Sequence, residues 1–242
     1  MAEQSDPRLA LLRERLAAVR QRIDGAVAAA ARQDTPPQLI VVTKFHPAAD
    51  IRRLASLGIT DVGENRDQEA ADKAAGLGDL GLRWHFIGQL QSNKAKSVVR
   101  YAHAVHSVDR PQLAAALAKA MAAEHERTGR APLDCYIQVS LDDDADGHRG
   151  GALPADVPVL AERLAGADGL RLAGVMAVAP LGADPVRAFE KLAGISARLT
   201  DVYPDATGIS AGMSQDLEAA IRSGATHLRI GSDILGPRPA LR

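Results

Sequence analysis

Apolar and polar positions follow one period at the start of the chain and alternate between two periods thereafter. Leu9, Leu12, Leu16, Val19 and Ile23 recur at helical spacing with Arg and Glu between them, which predicts a long amphipathic helix over residues 7–32. Pro36 and Pro37 stop any continuation of it. From there, short apolar runs and helical stretches take turns to the end of the chain. Strands are expected at 39–43, 60–63, 84–87, 104–108, 133–141, 170–178, 207–209 and 227–230. Helices are expected at 48–57, 67–75, from near Ser92, at 110–128 with Asp109 as N-cap, and at 156–165, 185–203 and 214–223.

Eight strands separated by helices require right-handed crossovers and a parallel sheet. In about 200 residues this points to a closed (β/α)8 TIM-type barrel over residues 38–236, preceded by the 7–32 helix, the whole chain forming one domain. In such a barrel the loops after the strands gather at one end, so chemistry is sought just past strand ends.

The first run, Leu39-Ile40-Val41-Val42, reads as a strand buried on both faces and leads directly into Thr43 and Lys44. A lysine there leans its stem on apolar walls, and partial desolvation disfavours the ammonium and lowers its pKa, so the amine can condense with an aldehyde. A solvated lysine at a strand end is the bland alternative. At the far end, Ser210-Ala211-Gly212-Met213-Ser214 brings two hydroxyls and a glycine to an expected helix start, suited to an anion. Ordinary capping by Ser214 is the competing reading. Arg229-Ile230-Gly231-Ser232 closes the last strand, and Gly231 permits close backbone approach to a ligand or simply a turn. The loops after strands seven and eight are the usual phosphate site of barrel enzymes. Arg229 either faces a ligand in the barrel mouth or pairs with a neighbouring carboxylate. Asn65, after Gly63-Glu64, can hydrogen-bond a ring substituent or make a turn. His85 reads as a wall residue of the barrel.

Composition narrows the partners. The 242 residues are 46% hydrophobic with a formal net charge of -1, so no long-range field gathers nucleic acid or anionic membrane, and a small molecule is expected. Cys135 is the single cysteine, expected as a buried thiol, which fits a cytoplasmic protein. No apolar run reaches the roughly 18 residues of a membrane span, and no export signal opens the chain. The histidines show no metal-ligand spacing. The acids around Asp142 lack the downstream glutamate of an EF-hand and read as a solvated loop, with Arg149-Gly150-Gly151 as a mobile lid.

Several of these segments together resemble the pyridoxal phosphate (PLP) homeostasis protein family, whose fold is that of the alanine racemase N-terminal barrel. They are Val42-Thr43-Lys44, Gly63-Glu64-Asn65 with Gln68-Glu69, Trp84-His85-Phe86-Ile87-Gly88 with Leu90-Gln91-Ser92-Asn93-Lys94, Gly212-Met213-Ser214 with Asp216, and Arg229-Ile230-Gly231. The resemblance implies that Lys44 carries PLP covalently as a Schiff base, and that Ser210, Gly231 and Ser232 hold its phosphate with Met213 and Ser214 beside them. It further implies that Arg229 faces the ring while Met176 and Asn65 line the pocket. His46 stands where the family commonly has a second lysine, Arg66 replaces an aromatic, and His148-Arg149-Gly150 replaces a lysine-containing loop.

The function so implied is that of a non-catalytic PLP carrier in intracellular PLP homeostasis, with PLP-dependent enzymes as clients. The alternative is a fold-type-III PLP enzyme, an amino-acid racemase or decarboxylase. A racemase needs a second acid/base, which in the alanine racemase group comes from a C-terminal β-domain and a partner subunit. The chain ends at Arg242 soon after its last expected strand, which favours the carrier, with Tyr101, Tyr136 and Tyr203 as the residues that could replace that acid/base. A barrel enzyme forming a substrate imine on Lys44 without PLP is a third reading. No extra exposed apolar element is evident, and a monomer is expected.

Overall fold

The computed structural model describes residues 6–142 and 150–238. Most of the acidic loop, and Arg149 of the expected lid, lie outside the described residues. The strands β1 (Gln38–Val42), β2 (Asp61–Glu64), β3 (Arg83–Phe86), β4 (Ala102–Val108), β5 (Leu133–Gln138), β6 (Leu170–Met176), β7 (Gly208–Ser210) and β8 (His227–Ile230) form a closed barrel in chain order. Every neighbouring pair is parallel, and β1 closes on β8 with Ile40 opposite Arg229 and Val41 opposite Ile230. The helices between them are α2 (Ala48–Ser56), α3 (Asp67–Gly76), α4 (Ala95–Tyr101), α5 (Pro111–Thr128), α6 (Val157–Ala165), α7 (Pro185–Val202) and α8 (Leu217–Arg222).

The leading helix α1 (Pro7–Ala29) is opened by Asp6, whose carboxylate accepts from the backbone N–H of Arg8 and Leu9. Its apolar stripe, Leu12, Leu16, Val19, Ile23 and Val27, is buried against α2, α8 and a short last helix, α9 (Ser232–Leu235), which the sequence pattern does not announce. Each such side chain contributes about 2 kcal/mol of burial. Arg8 on Asp50 and Arg22 on Glu218 and Asp233 pin the helix across the barrel.

Three local expectations are corrected. The apolar run after β5 leaves the ladder at Gln138, because Val139 bridges to Ala152 instead. Asp109 does not cap α5: its carboxylate takes the guanidinium of Arg110, which is the residue flanking the helix. Helix α8 begins at Leu217 and not at Ser214, because Asp216 Oδ1 accepts the Met213 N–H at 2.6 Å and closes a turn there. Ser214 is therefore no N-cap.

Strand alternation divides the apolar residues between two faces. Val41, Val62 and Val105 pack outward on the helices, whereas Ile40 and Val42 stay apart from that cluster and lie beside Gly63 of the neighbouring strand on the inner face. Besides Ile40 and Val42 the interior holds a small apolar group, Ala104, Tyr136 and Met176, alongside the buried polar residues Asp61, His85, His106, Ser210 and Arg229. Cys135 is buried, and burial raises its thiol pKa. Among the described residues no helix is long and apolar enough to cross a membrane, and no group of three His, Cys, Asp or Glu could hold a metal.

Candidate functional site

Lys44 continues the inward alternation of Ile40 and Val42 and stands at the C-terminal rim of the barrel. It is partly buried, and its amine makes no hydrogen bond or ion pair among the described residues. Burial, helped by the charge of Arg238 and opposed by Glu64, lowers its pKa. The turn holding it is strained: Phe45 sits at φ 69, a conformation unusual for a side chain of that size. Glu69 Oε1 accepts the Phe45 N–H at 2.7 Å, and the guanidiniums of Arg66 and Arg238 lie 5.0 and 3.6 Å from the Phe45 ring centre. Arg66 therefore occupies the rim as a stacking partner.

Beneath the turn lies a buried ionic cluster. Lys73 donates to the Thr43 carbonyl at 3.0 Å and to Glu64 and Glu69 at 2.7 Å each, and Thr43 donates to Glu64 at 2.6 Å. Burial raises the Glu64 pKa against the opposing pull of Lys73. Among the described residues Glu64 Oε2 has no partner, and neither do Asn65 Oδ1 and Ser107 Oγ, three buried polar atoms at or near the ends of β2 and β4. Asn65 itself is fixed by Gly88, where a Cβ would fall 2.2 Å from the Asn65 carbonyl oxygen.

Across the β1–β8 seam, Arg229 is fully buried. It donates to Ser210 Oγ at 2.7 Å and to the Ala177 carbonyl at 2.9 Å, and it forms no ion pair among the described residues. The carboxylate partner weighed for it is not formed. Burial, partly offset by Asp216, lowers its pKa to about 10. Gly231 packs on the end of β1, where a Cβ would sit 3.1 Å from the Val42 carbonyl oxygen. Gly212, at φ 92, lets the preceding loop pass Ala220 and Leu228. These two glycines bring the hydroxyls of Ser214 and Ser232 to 3.3 Å of each other.

The structure thus gathers Lys44, Arg229, Gly231, Ser214 and Ser232 on neighbouring strand ends and loops, with Met176 paired to Ser210 in the ladder. Met213 is partly exposed beside Ser214. Ser210 departs from the cradle: its hydroxyl is wholly buried between Arg229 and His106, not open to the rim. Sequence reasoning missed Lys73, whose signal was its i,i+4 spacing from Glu69, and His106, which reads as one more strand residue.

Residues 15–239 match the family described as alanine racemase, N-terminal domain. The chain is 44% identical over 220 residues to a Corynebacterium glutamicum protein named pyridoxal phosphate homeostasis protein, covering 90% of this chain and 98% of that one. A Pseudomonas aeruginosa protein of the same name is 39% identical over 230 residues, covering 95% and 97%. PipY of Synechococcus elongatus, solved with PLP bound, superposes with a TM-score of 0.78 at 35% identity, over 93% of this chain and 100% of PipY. With the fold and these relatives in agreement, the chain belongs to the alanine racemase N-terminal domain family and, within it, to the pyridoxal phosphate homeostasis proteins.

Proposed function

We propose that this protein binds PLP at the C-terminal rim of the barrel and holds it as a Schiff base on Lys44, serving PLP homeostasis without turning over a substrate. The observation that carries the reading is a pair of cationic side chains on adjacent strands that form no ion pair among the described residues: Lys44 and the buried guanidinium of Arg229. An uncompensated buried charge is costly, and an anionic ligand repays that cost. The ligand fits on independent grounds. Its phosphate suits the Ser214 and Ser232 hydroxyls beside Gly231, and its ring substituents suit the orphaned polar atoms of Asn65 and Ser107. Lys44 would hold PLP through the aldehyde the cofactor would supply there, the amine forming a C=N bond as water leaves. The lowered Lys44 pKa raises the fraction of amine free to attack.

Absence of turnover is supported by the tyrosines that could act as a second acid/base. Tyr101 donates to Asp67 at the outer side of the barrel, and Tyr136 meets His227 near the opposite end of the barrel interior. Burial raises both phenol pKa values, so both stay neutral phenols that give up a proton reluctantly and present no phenolate to act as a base. Tyr203 follows α7, away from the strand C-termini. Incubation with PLP is expected to produce a visible absorption band that borohydride bleaches, leaving a pyridoxyl group on the Lys44 peptide. Lys44→Ala should fold and lack that adduct. Rapid exchange of the alanine α-proton with solvent deuterium by the loaded protein would refute the carrier reading.

A further inference from the structure

Beneath the rim, the barrel interior contains a continuous chain of hydrogen bonds that the binding reading does not use. Arg229 Nη1 lies 2.7 Å from Ser210 Oγ, Ser210 Oγ 2.8 Å from His106 Nδ1, His106 Nε2 2.9 Å from His85 Nδ1, and His85 Nε2 2.8 Å from Asp61 Oδ1. All five residues are at most 4% exposed. The chain starts at the first residue of β2 and ends on β8, passing through β3, β4 and β7. Asp61 is itself anchored by the Arg83 guanidinium, at 2.8 and 2.6 Å, and by the Thr60 hydroxyl.

We propose that Asp61, His85 and His106 are positioning residues: a relay that fixes the Ser210 hydroxyl and, through it, the guanidinium of Arg229 that the PLP site uses. The inference rests on the PLP reading above. Its directions follow from the end that can only accept. Asp61 accepts from His85 Nε2–H, which leaves His85 Nδ1 to accept from His106 Nε2–H. His106 Nδ1 then accepts the Ser210 O–H, and Ser210 Oγ accepts from Arg229. Every donor points the same way, so the tautomer at one end dictates the hydroxyl orientation at the other. Burial is the main cause that drives the His106 pKa well down, with His85, Arg229, His227 and His103 adding to it, which keeps the ring neutral and able to accept. Tyr136 stacks on the His106 ring, with centres 4.3 Å apart and planes 10° from parallel, so the imidazole has little freedom to turn out of line. Among the described residues only the Ala177 carbonyl holds Arg229 besides this chain, so a guanidinium released by Ser210 would pivot on one contact.

The relay has a signature that simple packing lacks: a change at His85, which touches neither Ser210 nor Arg229, alters His106 and the ligand. His85→Phe keeps a ring in place and leaves Asp61 paired with Arg83 and Thr60. In protein labelled with 15N-histidine and free of PLP, His106 of the unaltered protein should be a single Nε2–H tautomer. In His85→Phe it should shift towards the Nδ1–H form. The same variant should still form the Lys44 adduct but bind PLP about tenfold more weakly. Asp61→Asn, which removes the fixed charge but leaves an accepting oxygen, should shift both readouts in the same direction by less, and it serves if His85→Phe does not fold. Unchanged His106 tautomer and unchanged PLP affinity in a folded variant overturn the relay while the PLP reading stands. Failure of the unaltered protein to take PLP sinks that reading instead, and the tautomer measurement still decides the relay.

Discussion

Lys73→Met tests whether the ionic cluster under the Lys44 turn is structural. The ammonium is buried and donates to three acceptors, the Thr43 carbonyl, Glu64 and Glu69. Methionine has nearly the same length and no charge. Its introduction leaves Glu64, 1% exposed, with the Thr43 hydroxyl as its remaining hydrogen-bond donor. Breaking one side of a buried pair costs about 3 to 5 kcal/mol. Glu69 is more exposed and can rehydrate, so the lower end applies, about 3 kcal/mol, or roughly 9 °C in Tm for a chain of this size. The cost must depend on pH. Burial already raises the folded-state pKa of Glu64, and removing the cation that opposes it raises the pKa further. A carboxyl whose folded pKa exceeds its unfolded value destabilises above that folded pKa and is relieved as pH falls through it. The deficit should thus be full near about pH 7.5 and mostly gone near about pH 4.5, measured by urea unfolding at both. Adding Glu64→Gln to the variant should recover most of the loss at neutral pH. A deficit below about 1 kcal/mol, or one equal at both pH values, would refute the argument.

Two further expectations follow from individual contacts. Gly88→Ala drives a Cβ to 2.2 Å from the Asn65 carbonyl oxygen and 2.7 Å from its Cα, backbone atoms that cannot swing aside. It should lower stability by about 3 kcal/mol and weaken PLP binding through Asn65, as thermal melts and PLP titration would record. His227 is held neutral by burial, which lowers its pKa from 6.5 to about 4. Its unfolded form binds the proton first, so stability is full above about pH 6.5 and falls by about 3 kcal/mol as pH drops to about 4. His227→Asn should flatten that limb of a stability-against-pH curve, and an unchanged slope would contradict the assignment.

The barrel was legible because parallel strands covered on both faces appear as apolar runs, and helices between them as amphipathic stretches. The misplaced ends have local causes that hydropathy does not carry. Leu141 extends the apolar run of β5 but lies beyond the strand's end, and Asp216 turns the chain where a helix was expected to start. Lys44, Gly231 and Ser232 could be found because each follows a strand end. The relay could not, because an inward residue of a strand in a barrel occupies the same alternating position whether it is Ile40 or His106. What fills the interior is decided only when the strands close.

That closure explains why the proposed binding site falls at this end of the molecule. A TIM-type barrel is ordinarily filled by layers of branched apolar side chains. Here the interior carries Asp61, His85, His106, Ser210 and Arg229, satisfied one by the next. At the N-terminal end the anionic Asp61 is balanced at once by Arg83. At the C-terminal end the cationic Arg229 meets, among the described residues, only neutral oxygen atoms. The hydrogen bonds along this chain are therefore satisfied, but among the described residues the charge at its upper end has no counter-ion, and Lys44 on the adjoining strand adds a second cationic group without one. An interior filled with leucine and valine would carry no such surplus. On the reading proposed above, the polar filling both orients the guanidinium and leaves positive charge at the rim, which an anionic aldehyde would answer by its phosphate at the nearby hydroxyls and its carbonyl at Lys44.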